Sequence, residues 1–198
     1  DPYELYLEGE WTWDMMEQIG RAVMRDTDGD GEIDQYGIGD MGWHQTIGFW
    51  VPSNGTSTVK IEDGKYVFNL TDEAALWVLQ KLSDWRNIDR LVSDTSDHMY
   101  TGHQAFYAHT ATQFRKVQEQ TGDTSDIRIV PMPKGSNATE YVYPVRGSHS
   151  WLLPSNSEAP AALIQLIDFL SPPEEYERNV ARWISAIATD RNSMELLR

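Results

Sequence analysis

Cysteine is absent from the 198 residues, which excludes disulfide staples and thiolate metal sites. That absence is compatible with an exported bacterial protein and does not by itself fix the compartment. Apolar runs long enough to span a bilayer, about 20 residues, are also missing, so the sequence reads as soluble. Basic charge is scarce: 16 Lys and Arg stand against 31 Asp and Glu, a net charge of −15. Such a surface repels a phosphate backbone and excludes nucleic acid as a partner class. No nucleophile elbow, phosphate loop or HExxH motif occurs. His98, His103 and His109 are spaced by five and six residues, which does not bring them to one helical face for zinc. The opening "DPYELYLEGEWTW" has neither the basic nor the apolar region of a signal peptide.

What is present suffices for one substantial domain, or for one lobe and part of another, with 40% hydrophobic residues. Thr12 caps a predicted helix in which Trp13, Met16, Ile19 and Val23 recur at intervals of three and four. "TVKIEDGKYVF" predicts a hairpin turning at Asp63-Gly64, and Thr71 opens a helix over about 72–86 with Ala75, Val78, Leu79, Leu82 and Trp85 on one face. A strand over 105–108 after a Gly102 turn, a helix over about 110–120, and a buried strand in "DIRIV" ended by Pro131 and Pro133 follow. Short strands around Gly147, a helix capped by Ser155 or Ser157, and a last helix restarted at Pro172-Pro173 complete the chain. Strands and helices alternate without an internal repeat, which gives an α/β fold.

"DTDGDGEIDQYG", residues 26–37, carries Asp26, Asp28, Asp30, Glu32 and Asp34, with Gly31 where a calcium loop turns sharply. The three aspartates at alternate positions supply side-chain oxygens, Glu32 a backbone carbonyl, and Asp34 a carboxylate directly or through water. The twelfth position is Gly37, where a sensor loop needs a bidentate Glu, and "QYGIGDMG" is too glycine-rich to be an exiting helix. The pattern therefore predicts a structural Ca²⁺ clip, without the paired helices of a switch; the alternative is a solvated acidic turn. Among the eight tryptophans, Trp13, Trp77, Trp85 and Trp183 lie on core-facing stripes. Trp43, Trp50 and Trp151 lie in glycine- or serine-rich breaks and are the candidates for rings that meet a ligand.

Four stretches in this order, "WTWDMMEQIGRAVMRDTDGDGEIDQYGIG", "DGKYVFNLTDEAALWVLQKLSD", "TGHQAFYAH…IRIVPMPKG" and "SWLLPSNSEAPAALIQLIDFLSPPEEYERNV", resemble the extracellular solute-binding proteins of family 1, the sugar receptors of ABC importers. Gly102 and Ala105, then Pro131, Pro133 and Gly135, then Ser157, Ala161 and Ala162, match the family pattern. The resemblance implies a class II periplasmic-binding-protein-like lobe, with a mixed sheet flanked by helices. Residues 1–140 would be the second lobe, and 141–198 a strand and two helices returning to the first. Family members carry most of a first lobe ahead of these motifs, so the chain is expected to be a central-to-C-terminal portion. The segments around 43–50, 107–113 and 146–151 contact ligand in the family. They add His44, His109, Arg146 and His149 to Trp43, Trp50 and Trp151 as ligand-binding candidates. The implied function is non-enzymatic binding of an oligosaccharide between lobes by a monomer, for membrane permease subunits. The implied location is extracellular or periplasmic, including a membrane-anchored lipoprotein. A fragment of a secreted carbohydrate-active enzyme and a calcium-dependent adhesion module are the competing classes.

Overall fold

A computed structural model of the chain describes residues 1–39, 42, 46–94, 98–122, 127–144, 152–170, 172–188 and 190–197. It divides into two compact units, Asp1–Asp126 with Val130–Arg146, and Ile127–Ile129 with Gly147–Arg198.

In the first unit, Asp1 caps helix α1 (Pro2–Leu7) by accepting from the Tyr3 N–H at 2.8 Å. Thr12 caps α2 (Trp13–Val23) through the Met15 N–H at 3.2 Å, as its sequence predicts. Strand β1 (Tyr36–Ile38) runs parallel to β4 (Gln104–Phe106), in register Tyr36 to Gln104 and Ile38 to Phe106, and a parallel bridge joins Ile38 to Val92. Thr46–Trp50 forms a π-helical turn that runs into α3 (Val51–Ser53). Strands β2 (Val59–Glu62) and β3 (Lys65–Phe68) form the expected antiparallel hairpin. Its turn residues Asp63 and Gly64 both have positive φ, 49° and 73°, the backbone that a two-residue loop of matching twist requires. Helix α4 (Glu73–Asn87) is capped by Asp72 through the Ala74 N–H, one residue beyond the expected Thr71. Helix α5 (His98–Thr101) ends at Gly102 (φ 75°) and α6 (Ala111–Thr121) at Gly122 (φ 70°), both left-handed.

Helices α2 and α4 run side by side in the same direction: Trp13 meets Trp77, Glu17 meets Lys81, and Arg21 meets Asp89. Both oppose the strands, since Gly20 touches Gly37 while Arg25, further along, bridges back to Gln35. The N-termini of α2 and α4 therefore share the carboxyl end of β1 and β4, and the acidic loop sits at the amino end. The contact between α2 and β1 depends on two missing side chains. A Cβ at Gly37 would stand 2.5 Å from Leu91 Cδ1 and 2.7 Å from Gly20 Cα.

The core is built of indoles. Trp13 lies 5.2 Å from Trp50, 5.6 Å from Trp77 and 5.7 Å from Trp85, centroid to centroid, and donates from Nε1 to Ser53 Oγ. Trp11 donates to the Pro131 carbonyl and packs against Phe106. The expected strand in "DIRIV" departs from the structure: residues 127–130 join no ladder, and the nearest pairing is a single bridge from Thr12 to Lys134. The Ile129 N–H donates to the Ser193 Oγ at 3.4 Å in place of a ladder carbonyl, and Pro131 and Pro133 offer no N–H through which a strand could continue. The fourth strand also begins one residue early and ends at Phe106.

The second unit holds α7 (Pro160–Leu170), α8 (Pro173–Ile187) and α9 (Arg191–Leu196). The expected caps Ser155 and Ser157 give way to a turn, in which the Ser157 N–H donates to the Pro154 carbonyl, and the helix starts at Pro160. Proline suits that place because a first-turn N–H has no intrahelical acceptor. Helix α7 buries none of its residues, whereas Ile184, Ile187 and Ser193 form a small core with α9. The strands expected around Gly147 lie mostly outside the described residues, and 141–144 form none.

Two outcomes follow from this packing. Gly37→Ala is expected to lose about 1–3 kcal/mol in urea unfolding, because the Gly20 backbone, and not the Leu91 side-chain tip alone, meets the new methyl. Glu17 accepts from Arg21 at 2.7 Å and from Lys81 at 2.6 Å. Burial pushes its carboxyl up, but these bonds outweigh burial and hold it below the ordinary value. A depressed folded value means stability that is present above the unfolded pKa and lost as pH falls through the folded one. Glu17→Gln should therefore unfold earlier than the parent at pH 7, with the gap closing toward pH 3.

Candidate functional site

The parallel strands define an edge where their carboxyl ends open onto loops, the usual place for ligands in α/β sheets. At that edge the Gly39 N–H donates to the Phe106 carbonyl at 2.7 Å, and the buried Ser93 donates from its backbone to the Ile38 carbonyl at 2.9 Å. A larger residue at Gly39 would have to displace its neighbours, since a Cβ would lie 2.5 Å from both Tyr107 Cδ2 and Gln104 Oε1. Tyr107 stacks on His109 with centroids 5.3 Å apart and planes inclined by 21°. His109 Nδ1 accepts from the Thr110 N–H at 2.8 Å, so in the neutral ring Nε2 carries the proton. Nearby, Gln113 donates to the Tyr100 hydroxyl at 2.9 Å. A half-exposed phenol and imidazole in one stack, flanked by amide and hydroxyl, can grip a flat apolar face and its polar rim.

Of the ligand-binding candidates, His109 stands at this edge. Trp50 does not: it is 1% exposed, wedged edge-on between Trp13 and Trp85. The glycine-rich break before it predicted exposure, but the π-turn and α3 carry the ring inward. Trp43, His44, Arg146, His149 and Trp151 lie outside the described residues. Tyr107 falls within the segment around 107–113 but is not among the individually named candidates. Its signal was alternation, since Tyr107 and His109 are two apart as the chain leaves β4.

At the opposite end of the sheet, an antiparallel bridge between Arg25 and Gln35 closes the acidic loop. Asp26 accepts from the Gly29 N–H at 2.6 Å and the Gly31 N–H at 2.8 Å, while Asp34 accepts from the Thr27 N–H and, at 2.7 Å, from its hydroxyl. The Gly31 and Gly29 N–H groups hold the Asp26 carboxyl below its usual value, and the Thr27 hydroxyl does so for Asp34. Ligand oxygens of Asp26, Asp28 and Asp34 fall within 4.8 Å of one another. Asp30 and Glu32 are not in that set: Asp30 turns back to accept from the Glu32 N–H, and Glu32 pairs with Arg90 at 2.8 Å. The set supplies hard oxygen donors of the kind calcium takes. Position twelve contributes no side chain, because Gly37 is buried against Gly20 in the middle of β1, where a sensor loop would begin a helix.

No protein-family model matches the sequence, and no curated protein matches it. Among solved structures the chain matches the maltose/maltodextrin-binding domain MalE from Bdellovibrio bacteriovorus, bound to maltotriose, at 19% identity with a TM-score of 0.66. The match covers 93% of this chain and 49% of that one, so the chain spans about half the length of the structure it resembles. The fold is that of a periplasmic-binding-protein-like α/β domain. The neighbour is a binding domain by its description.

The Tyr107–His109 stack has its own expected outcome. Thr110→Pro removes the backbone N–H from which His109 Nδ1 accepts and should abolish the bond that selects the tautomer. Nitrogen-15 NMR of the ring would show one Nδ1-acceptor species in the parent and a mixture in the variant.

Proposed function

We propose that this chain is the sugar-binding portion of an ABC-importer receptor, non-enzymatic, with the carboxyl edge of β1 and β4 as its part of an oligosaccharide site. The observation that carries the reading is the Tyr107–His109 stack at the carboxyl edge of a sheet whose fold matches a maltotriose-bound domain. Trp43, His44, Arg146, His149 and Trp151 complete the proposed ligand set. The receptor is read as an extracellular or periplasmic monomer, with a lipoprotein anchor as one form. Its second lobe, to which residues 1–140 belong, closes with the first over the sugar, and the closed form is offered to permease subunits. The exposed apolar side chains of α7, among them Ile164, Leu166 and Phe169, support a role for 141–198 in packing on that complementary lobe.

Calcium is proposed at Asp26, Asp28 and Asp34, with the backbone of Glu32 and water, and with Asp30 swinging in on binding. Placed at the amino end of the strands, the ion would brace the α2–β1 connection and leave sugar affinity unchanged.

Tryptophan fluorescence titration with an oligosaccharide panel, with product analysis of the same samples, tests the sugar reading. A saturable shift without products is expected, and Tyr107→Ala or His109→Ala should raise Kd about tenfold, roughly 1.4 kcal/mol. Cleaved products would favour the enzyme fragment instead. Calcium at about 100 times its Kd should add about 2.7 kcal/mol to unfolding stability. Asp26→Asn and Asp34→Asn should each abolish that increment, and chelation that abolished sugar binding in a folded protein would contradict the clip.

A further inference from the structure

A second concavity opens at the same end of the sheet, beside the first turn of α4. It has a volume of about 500 Å³ and is lined by Asp72, Glu73, Ala74, Trp77, Ser136 and Asn137. Trp77 is 38% exposed although its neighbours Trp13 and Trp85 are fully buried, and its ring is held by stacking on Trp13 at 29°. Glu73 lies one helical turn before Trp77, so the carboxylate and the indole share a face.

The buried amide of Asn54 ties the two walls. Its Nδ2 donates to the Ala74 carbonyl on the helix wall at 3.3 Å, and its Oδ1 accepts from the Asn137 N–H on the loop wall at 3.3 Å. Gly55 (φ 74°) lets the loop close down, since a Cβ there would lie 2.7 Å from the Asn137 carbonyl. The shape is thus fixed by a side chain with no exposure of its own.

We propose that this groove is a second saccharide-binding site, using the Trp77 ring as a platform for one sugar unit. The choice of ligand rests on the sugar reading above; the groove itself does not. Two carboxylates and, among the described residues, no lining cation disfavour an anion. An amide and a hydroxyl supply donors as well as acceptors, which suits alcohol groups better than a cation that needs acceptors alone. An indole face takes the C–H face of a pyranose, and Asp72 and Glu73 accept from its hydroxyls. Asp72 keeps one oxygen on its helix cap, at 3.0 Å from the Ala74 N–H, and uses the other.

The test is nitrogen-15 NMR of the whole chain titrated with maltotriose, cellotriose and choline chloride to tens of millimolar. Trp77→Phe identifies the Trp77 indole signal, and the His109 ring signals report on the strand edge. The expected result is a saturable Trp77 shift with one of the trisaccharides, at millimolar Kd, which Tyr107→Ala or His109→Ala changes by no more than about twofold. A silent Trp77 beside a moving His109 would overturn this second site and leave the sugar reading standing. A moving Trp77 beside a silent His109 would keep the groove and remove the strand-edge site. Silence of both with either sugar overturns both, and a Trp77 shift with choline alone overturns the assignment to sugar.

Discussion

The packing of Trp13 against Trp50, Trp77 and Trp85 is the interaction on which the first unit depends. It joins α2, the π-turn and α4 at one point, and Thr12 fixes its approach by capping α2 while bridging to Lys134. Large rings bury much area at small entropic loss, so a few of them can order several short elements. That matters here because the strands are short, three or four residues each among those described. Trp13 also sets the polarity of the unit, placing two helix N-termini at the end of the sheet where ligand-type side chains gather.

The opposite end of the same α2–β1 pair obeys a different constraint. Gly20 and Gly37 allow the helix to lie against the strand, and the acidic loop is the connection that this approach leaves to be closed. The residue that would complete a calcium-sensor loop is the one whose side chain the packing cannot admit. A conflict that looks like an imperfect motif in the sequence is thus a packing requirement in the fold, and it separates bracing of the loop from events at the other edge.

Much of this was legible in residue order. The α2 cap, the Asp63-Gly64 turn and the α4 stripe each rest on local chemistry and stand as expected, as does the mixed α/β character. What failed depended on neighbours distant in sequence. Trp50 looked exposed because the residues around it are small, but Trp13 and Trp85 supply its cover from 37 and 35 residues away. "DIRIV" looked like a strand because its side chains suit one, but the Ile129 N–H goes to the Ser193 side chain, 64 residues on, and not to a neighbouring strand. The α8 restart at Pro172-Pro173 was local again, and correct. The groove beside Trp77 had no sequence signature at all, since Trp77 sits on a stripe that reads as core, and only the placement of Asn54 between two walls reveals it.

The strand edge is proposed to bind sugar without altering it. Isothermal calorimetry of the chain with maltotriose in calcium measures this most directly. Binding predicts injection heats that decline to the dilution value as the site fills. A sustained baseline displacement after each injection, with shorter sugars recovered from the cell, would mean turnover and would contradict a binding-only role.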